Sequence, residues 1–166
     1  MIRPERGEDR SAILEVHRAA FGRDDVPRLV QELWESETYV PELAFVAQDE
    51  DRIVGHVLST WCHVEDSGAP VLQLSPLGIL PEFQGRGHGG ALVRTSLDAV
   101  RTLGQPLLLV EGDPKYYGRF GFVRADELGL LPPPEALHDW AFQVAILDPD
   151  ADLPQGRVAY SPPFRH

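Results

Sequence analysis

The sequence predicts one α+β domain over residues 1–166, built on a mixed, mostly antiparallel sheet flanked by helices. Three patterns carry that expectation. Two N-terminal stretches place apolar residues at helical spacing. Several β-rich runs then follow one another through short polar turns, the pattern of antiparallel neighbours. Finally, the continuously apolar run from Pro106 to Val110 comes directly after a helix-spaced segment. A strand buried on both faces, returning parallel through a βαβ unit, has that character.

Taken in order, the chain starts extended at Ile2 and Arg3, and Ile13, Val16, Ala20 and Phe21 then share one helical face, with Ser11 as the expected cap and Gly22 as the stop. Asp24 or Asp25 caps a second helix, whose buried stripe is Val26, Leu29, Val30 and Leu33. Pro27 sits in its first turn, where a missing N–H leaves no hydrogen bond unmade, and the helix closes before Pro41. Leu43 to Ala47 and Ile53 to Val64 read as a hairpin around Asp49-Glu50-Asp51. The turn from Glu65 to Pro70 leads into a strand from Val71 to Leu80, and glycine-rich sequence then opens a helix carrying Leu92, Val93, Leu97, Val100 and Leu103, stopped by Gly104. Beyond the parallel strand come a Gly-Asp-Pro turn, the aromatic stretch Tyr116 to Phe122, a proline-rich excursion at Pro132 to Pro134, an alternating strand through Phe142, Val144 and Ile146, and a short strand through Val158 and Tyr160.

Acidic residues outnumber basic ones by 26 to 15, a formal net charge of −11, with no basic run anywhere. That excludes a protein that grips nucleic acid by neutralising phosphates with a cationic face. No apolar stretch approaches the ~20 residues of a membrane helix. The chain opens on charged residues from Arg3 to Arg10, and the single cysteine, Cys62, has no partner, so the expected setting is the reducing cytoplasm. Lys115 is the one lysine beside fourteen arginines, the bias of a GC-rich bacterial source. His17, His56, His63, His88, His138 and His166 lack paired metal-ligand spacing, so no metal is expected. Ser75 lacks the context of a hydrolase elbow, and Cys62 reads as a small core residue.

The most informative stretch is Gln84-Gly85-Arg86-Gly87-His88-Gly89-Gly90, with four glycines in seven residues between a strand and a helix. Glycine is entropically costly there, so the loop needs a reason. An anion supplies it: without β-carbons, several backbone amides can converge at the positive end of a helix dipole, where phosphate binds. Gly85-x-Gly87-x-x-Gly90 formally satisfies a dinucleotide fingerprint, and Glu111 stands about 20 residues on, where a ribose-binding acid belongs. In that fingerprint the strand runs almost straight into the first glycine, whereas here Pro81-Glu82-Phe83-Gln84 intervenes.

Those intervening residues suit another pattern. Leu77-Gly78-Ile79-Leu80-Pro81-Glu82-Phe83-Gln84-Gly85-Arg86-Gly87-His88-Gly89 resembles the acetyl-CoA motif of the GNAT N-acetyltransferase superfamily, with Gln84, Gly87 and Gly89 in the fixed positions of Q/R-x-x-G-x-G/A. The order of elements across nearly the whole chain is also similar. The resemblance implies a GNAT-like sheet with one parallel, splayed strand pair, and acetyl-CoA as cosubstrate. It further implies that free backbone amides of Leu77 and Ile79 hold the pantetheine arm and the thioester carbonyl. Gly78 and Pro76 fit the required distortion. Gln84, Gly85, Arg86, Gly87, His88, Gly89 and Gly90 then surround the pyrophosphate, Arg86 either adding charge at the rim or standing as a solvated surface arginine, and His88 pointing to phosphate or solvent.

Gly112-Asp113-Pro114-Lys115-Tyr116-Tyr117-Gly118-Arg119-Phe120-Gly121-Phe122 looks like one bacterial branch of predicted acetyltransferases, departing from the commoner pattern that has an upstream asparagine and a longer helix. The resemblance makes Tyr117, four residues before Gly121, the acid for the coenzyme A thiolate, with Tyr116 as its substitute if the short helix shifts register. A phenol is protonated at neutral pH and suits that donation. Glu111, at the end of the strand beside the groove, is the preferred general base, a water chain being the alternative. The expected acceptor is a small-molecule amine or a peptide N-terminus, and an acidic cleft favours a cation. Exposed strand edges near the C-terminus permit a homodimer. Two competing readings stand beside the direct-transfer enzyme: a non-catalytic acyl-CoA sensor of the same fold, and a dinucleotide oxidoreductase.

Overall fold

A computed structural model describes residues 1–165; His166 lies outside the described residues. The chain lays down β1 (Ile2–Pro4), α1 (Arg10–Phe21), α2 (Asp25–Glu35), β2 (Phe45–Asp49), β3 (Arg52–Val64), β4 (Pro70–Ile79), α3 (His88–Thr102), β5 (Leu107–Glu111) and α4 (Pro114–Tyr117). The short β6 (Val123–Arg124) and β7 (Leu130–Leu131) follow, then β8 (Phe142–Ile146) and β9 (Gly156–Ala159). The sheet runs β1-β2-β3-β4-β5-β8-β6, with β9 against the far end of β3. Along that order β4 and β5 are parallel, and the other neighbours are antiparallel.

The sheet's two faces follow the pleat of β2. Ala44 and Val46 pack with Ile13 of α1 and with Val30 and Leu33 of α2. Phe45 and Ala47 pack with Leu92, Val93, Leu97 and Val100 of α3. Successive side chains of a strand point to opposite faces, so α1 and α2 cover one side and α3 the other. A third cluster, with Cys62, Val71, Leu109, Phe142, Val144 and Val158, fills the end of the sheet under the C-terminal strands. Cys62 lies in that core, and burial pushes its thiol up to about 12.

Local details differ from expectation for identifiable reasons. Ser11 does not cap α1, which begins one residue earlier after a 3-10 turn at Gly7–Asp9. The carboxylate next to the helix start belongs to Asp9, and Arg3 grips it with two hydrogen bonds of 2.8 and 2.9 Å. It also accepts the Arg6 N–H at 2.7 Å, tying β1 to the helix entry. The guanidinium holds the Asp9 carboxyl below its ordinary range. Asp24 precedes α2, but its carboxylate accepts from Arg18 Nε at 2.9 Å instead of capping the helix. β6 and β7 have two residues each, too few to show a period. β8 looks half-polar in sequence yet is buried through Gln143. The amide of Gln143 is satisfied internally, donating to Gly112 O at 3.0 Å and Ala141 O at 3.1 Å.

Candidate active site

The site begins where β4 leaves β5. Their ladder holds two register pairs, Gln73 with Leu109 and Leu74 with Val110, and then ends. Pro76 has no N–H with which to continue it. Between Leu74 and Leu77, β4 advances three residues while β3 advances two, from Ser59 to Val57, so β4 carries a bulge there. The Leu80 N–H donates to Val54 O on β3 at 2.8 Å. Alternation along the strand then turns the Leu77 and Ile79 backbone groups the opposite way, into the opening beside β5. Ile79 O is met there by Gln84 Nε2 at 3.0 Å, and this clamp ties the strand end to the glycine loop.

Gly85 and Gly87 have φ of 76° and 90°, which a side chain would resist, and Gly87 opens α3 without a side-chain cap. The first amides of α3 therefore face the cleft unpaired. A β-carbon on Gly89 would sit 2.6 Å from Tyr116 Oη, so glycine is needed there for close approach. The cleft enclosed by these parts measures about 520 Å³ and is lined by Leu77, Ile79, Gln84, Gly85, Gly87, His88, Gly89 and Gly90. The straight strand-to-glycine entry of a dinucleotide fingerprint is absent: the 3-10 turn Pro81–Phe83 stands between.

Arg86 takes the solvated place of its two expected ones. Its guanidinium lies 4.9 Å over the Phe83 ring, on the exposed side of the loop and not among the residues lining the cleft. Positive charge in the cleft comes from Arg94 and Arg119. Arg94 stacks over Phe120 at 5.1 Å, and Arg119 stacks over Tyr116 at 4.5 Å while donating to Tyr116 O at 3.2 Å. Both were visible in sequence, Arg94 one helical turn beyond Gly90 and Arg119 inside the aromatic motif. Spacing alone does not say which way an arginine turns.

A second, smaller cleft of about 290 Å³ opens on the α2 side, lined among others by Ser75, Pro76, Glu111 and Tyr117. Phe21 and Leu77 line both clefts, so the two meet at the bulged strand. The adjacent tyrosines are thereby separated. Tyr116 faces the glycine loop, whereas Tyr117 faces the second cleft with its ring on Gly112, where a β-carbon would lie 2.5 Å from the ring. Burial, with Tyr116 alongside, pushes the Tyr117 hydroxyl above the ordinary phenol range. Glu111 is engaged at both oxygens: Tyr160 donates to Oε1 at 2.7 Å and the Leu137 N–H to Oε2 at 3.0 Å.

One constellation gave no signal in sequence. His17 Nε2 meets His56 Nδ1 at 2.8 Å, His56 Nε2 meets Glu5 Oε1 at 2.6 Å, and Tyr39 donates to Glu5 Oε2 at 2.9 Å. Both histidines are fully buried, and burial lowers both imidazoles from their ordinary range, His17 the more strongly. A β-carbon on Gly78 would lie 2.6 Å from His17 Nδ1. Thirty-nine residues separate the two histidines, and only the packing of α1 on β3 and β4 joins them.

Comparison with known proteins gives a consistent result. Residues 1–125 match the family model described as an acetyltransferase (GNAT) domain. The chain is 39% identical over 116 residues to the uncharacterized N-acetyltransferase YjhQ of Escherichia coli, covering 69% of this chain and 64% of that protein. It is 31% identical over 155 residues to the uncharacterized N-acetyltransferase YhbS of E. coli K12, covering 91% and 89%. Among solved structures, E. coli YhbS in complex with CoA superposes with a TM-score of 0.91 at 30% identity, over 100% of this chain and 92% of that one. A GNAT family acetyltransferase from Brucella melitensis in complex with acetyl-CoA superposes with a TM-score of 0.81 at 30% identity, over 99% and 97%. The overall fold is thus shared with these proteins, and the chain belongs to the GNAT acetyltransferase family.

Proposed function

We propose that this protein transfers the acetyl group of acetyl-CoA directly to an amine, without a covalent enzyme intermediate. The observation that carries this reading is the pair of inward-facing strand amides at Leu77 and Ile79, placed beside a glycine loop at a helix start in one continuous cleft. The donors fit the cosubstrate's chemistry. Unpaired amides at the start of α3 and the cations Arg94 and Arg119 suit a pyrophosphate, in a protein whose net charge otherwise repels one.

Acetyl-CoA supplies an activated acyl carbon and a thiolate leaving group; the chain's residues do the rest. The Leu77 amide stabilises the negative charge that develops on the thioester oxygen, and the Ile79 amide aligns the arm behind it. Tyr117, protonated because burial raises it, gives its proton to the departing sulfur as the carbon–nitrogen bond forms, and recovers one from the nitrogen. Gln84 keeps the loop in register through Ile79. His88 borders the phosphate end of the cleft, and Arg86 serves only its rim. Glu111 lines the second cleft as the carboxylate that meets a cationic acceptor, a small-molecule amine or a peptide N-terminus.

Calorimetric titration with acetyl-CoA, CoA and NADH tests the reading. Saturable binding of the coenzyme A species alone is expected, followed by thiol release when amines are added. Binding of NADH alone, or of none of the three, would overturn it. Binding without any acetyl transfer would leave a sensor of the same fold.

A further inference from the structure

A proton acceptor has to remove one proton from an amine that arrives as ammonium, and Glu111 already uses both oxygens to hold Leu137 and Tyr160. On the α1 side of the same bulged strand lies a group with a lone pair to offer. His17 Nδ1 is buried and has no hydrogen-bond partner, while the other nitrogen of the ring is committed to His56. A buried polar atom without a partner is uncommon and calls for an explanation. Its protonation state follows from the far end of the chain. The Glu5 carboxylate accepts from His56 Nε2, so His56 Nδ1 must accept from His17 Nε2–H, and His17 Nδ1 is left bare. The bare nitrogen lies against Gly78, between the two residues whose amides face the thioester, where any side chain on the strand would collide with the imidazole. Phe21 stacks on His17 with ring centroids 6.1 Å apart and lines both clefts.

Resting on the acetyl-transfer reading, we propose that His17 Nδ1 is the proton acceptor for the incoming amine, taken directly or through one water as Phe21 turns aside, with His56 and Glu5 completing a proton relay. The proton leaves the ammonium nitrogen for His17 Nδ1, freeing the electron pair that attacks the thioester carbon. The Nε2 proton of His17 moves to His56 Nδ1, and that of His56 Nε2 to Glu5 Oε1. Both imidazoles finish neutral in the opposite tautomer, and the carboxylate finishes as a carboxylic acid. The chain resets by returning the proton through the same atoms to solvent once product has left. No buried imidazolium forms, in keeping with the downward displacement of both histidines. Glu5 and Asp9 are the carboxylates that bear on this chain, and Tyr39 with Arg10 closes its far end.

The test compares the wild type with His17→Gln and Glu5→Gln, using spermidine and a tetrapeptide with a free N-terminus as acceptors, from about pH 6 to about pH 10. CoA affinity measured by calorimetry stays within about threefold in each variant, because neither residue touches the cofactor cleft. Turnover at neutral pH falls by about 100-fold or more, the share of a general base, and the deficit closes toward pH 10 as the amine loses its own proton. A deficit equal at every pH, or none, would make His17 a packing residue and overturn the relay. Failure of the wild type to bind CoA would instead overturn the acetyl-transfer reading itself. Independently of any acceptor, histidine 15N spectra at neutral pH must show Nε2 protonated and Nδ1 bare in both residues; the reverse tautomer in either overturns the proposal.

Discussion

Gly78→Ala tests the contact on which the second half of the site depends. The new methyl would stand 2.6 Å from His17 Nδ1, 3.0 Å from His17 Cε1 and 3.5 Å from Phe21 Cε2. Ordinary carbon contacts settle at about 3.5–4.0 Å, so the imidazole must retreat by about 1 Å. It cannot retreat freely, because Phe21 covers one face and the 2.8 Å bond to His56 holds its edge. A 1 Å displacement takes that bond beyond hydrogen-bonding distance. Overpacking of a filled core costs about 1–3 kcal/mol, and the lost hydrogen bond adds about 1 kcal/mol. The sum, about 2–4 kcal/mol, corresponds to a fall in Tm of about 5–15 °C for a chain of this size. Thermal melts of Gly78→Ala, His17→Ala and the double variant complete a cycle. With the imidazole removed, the methyl enters empty space, so Gly78→Ala costs a few tenths of a kcal/mol in that background and the coupling is about 2–3 kcal/mol. Equal costs in both backgrounds would refute the contact.

Other consequences are open to direct measurement. Tyr117→Phe keeps the ring on Gly112 and is expected to leave CoA affinity unchanged while lowering thiol release by about 100-fold; unchanged turnover removes Tyr117 from the chemistry. Arg94→Ala and Arg119→Ala each weaken CoA binding by about 5- to 30-fold and flatten its salt dependence, whereas Arg86→Ala changes affinity by less than about twofold; the reverse order would contradict the stacking of Arg86 on Phe83. Both buried histidines are displaced downward, so below about pH 6.5 the unfolded chain binds protons that the folded one refuses. Stability therefore falls as pH drops through that window, by at most ~1.4 kcal/mol per pH unit for each histidine, and a Tm that stays level from about pH 7 to about pH 5 would count against their burial as neutral pairs.

Much of the cofactor side was legible because its causes are local. A glycine at a positive φ, a proline that ends a ladder and an amide that reaches back five residues to its own strand all act within a short stretch, so the turn built by Gln84 and Gly87 is readable from neighbouring residues. The place of Arg86 depends on a contact just as local in distance but absent from spacing: its guanidinium stacks on the Phe83 ring. Glu111 ends β5, the position its place after the apolar run implies, yet its partners, Leu137 and Tyr160, lie 26 and 49 residues away.

By itself the sequence determined the alternation of helices and strands, the parallel return through α3 to β5 and the glycine loop before α3, because periodicity and backbone permissiveness are properties of neighbours in the chain. Tertiary structure alone decided which arginines face the cleft, how Tyr116 and Tyr117 divide between two clefts, and that Glu5, His17 and His56 meet. Those outcomes depend on the packing of α1 across β3 and β4, where the burial of apolar neighbours drives together polar groups that no spacing in the sequence connects.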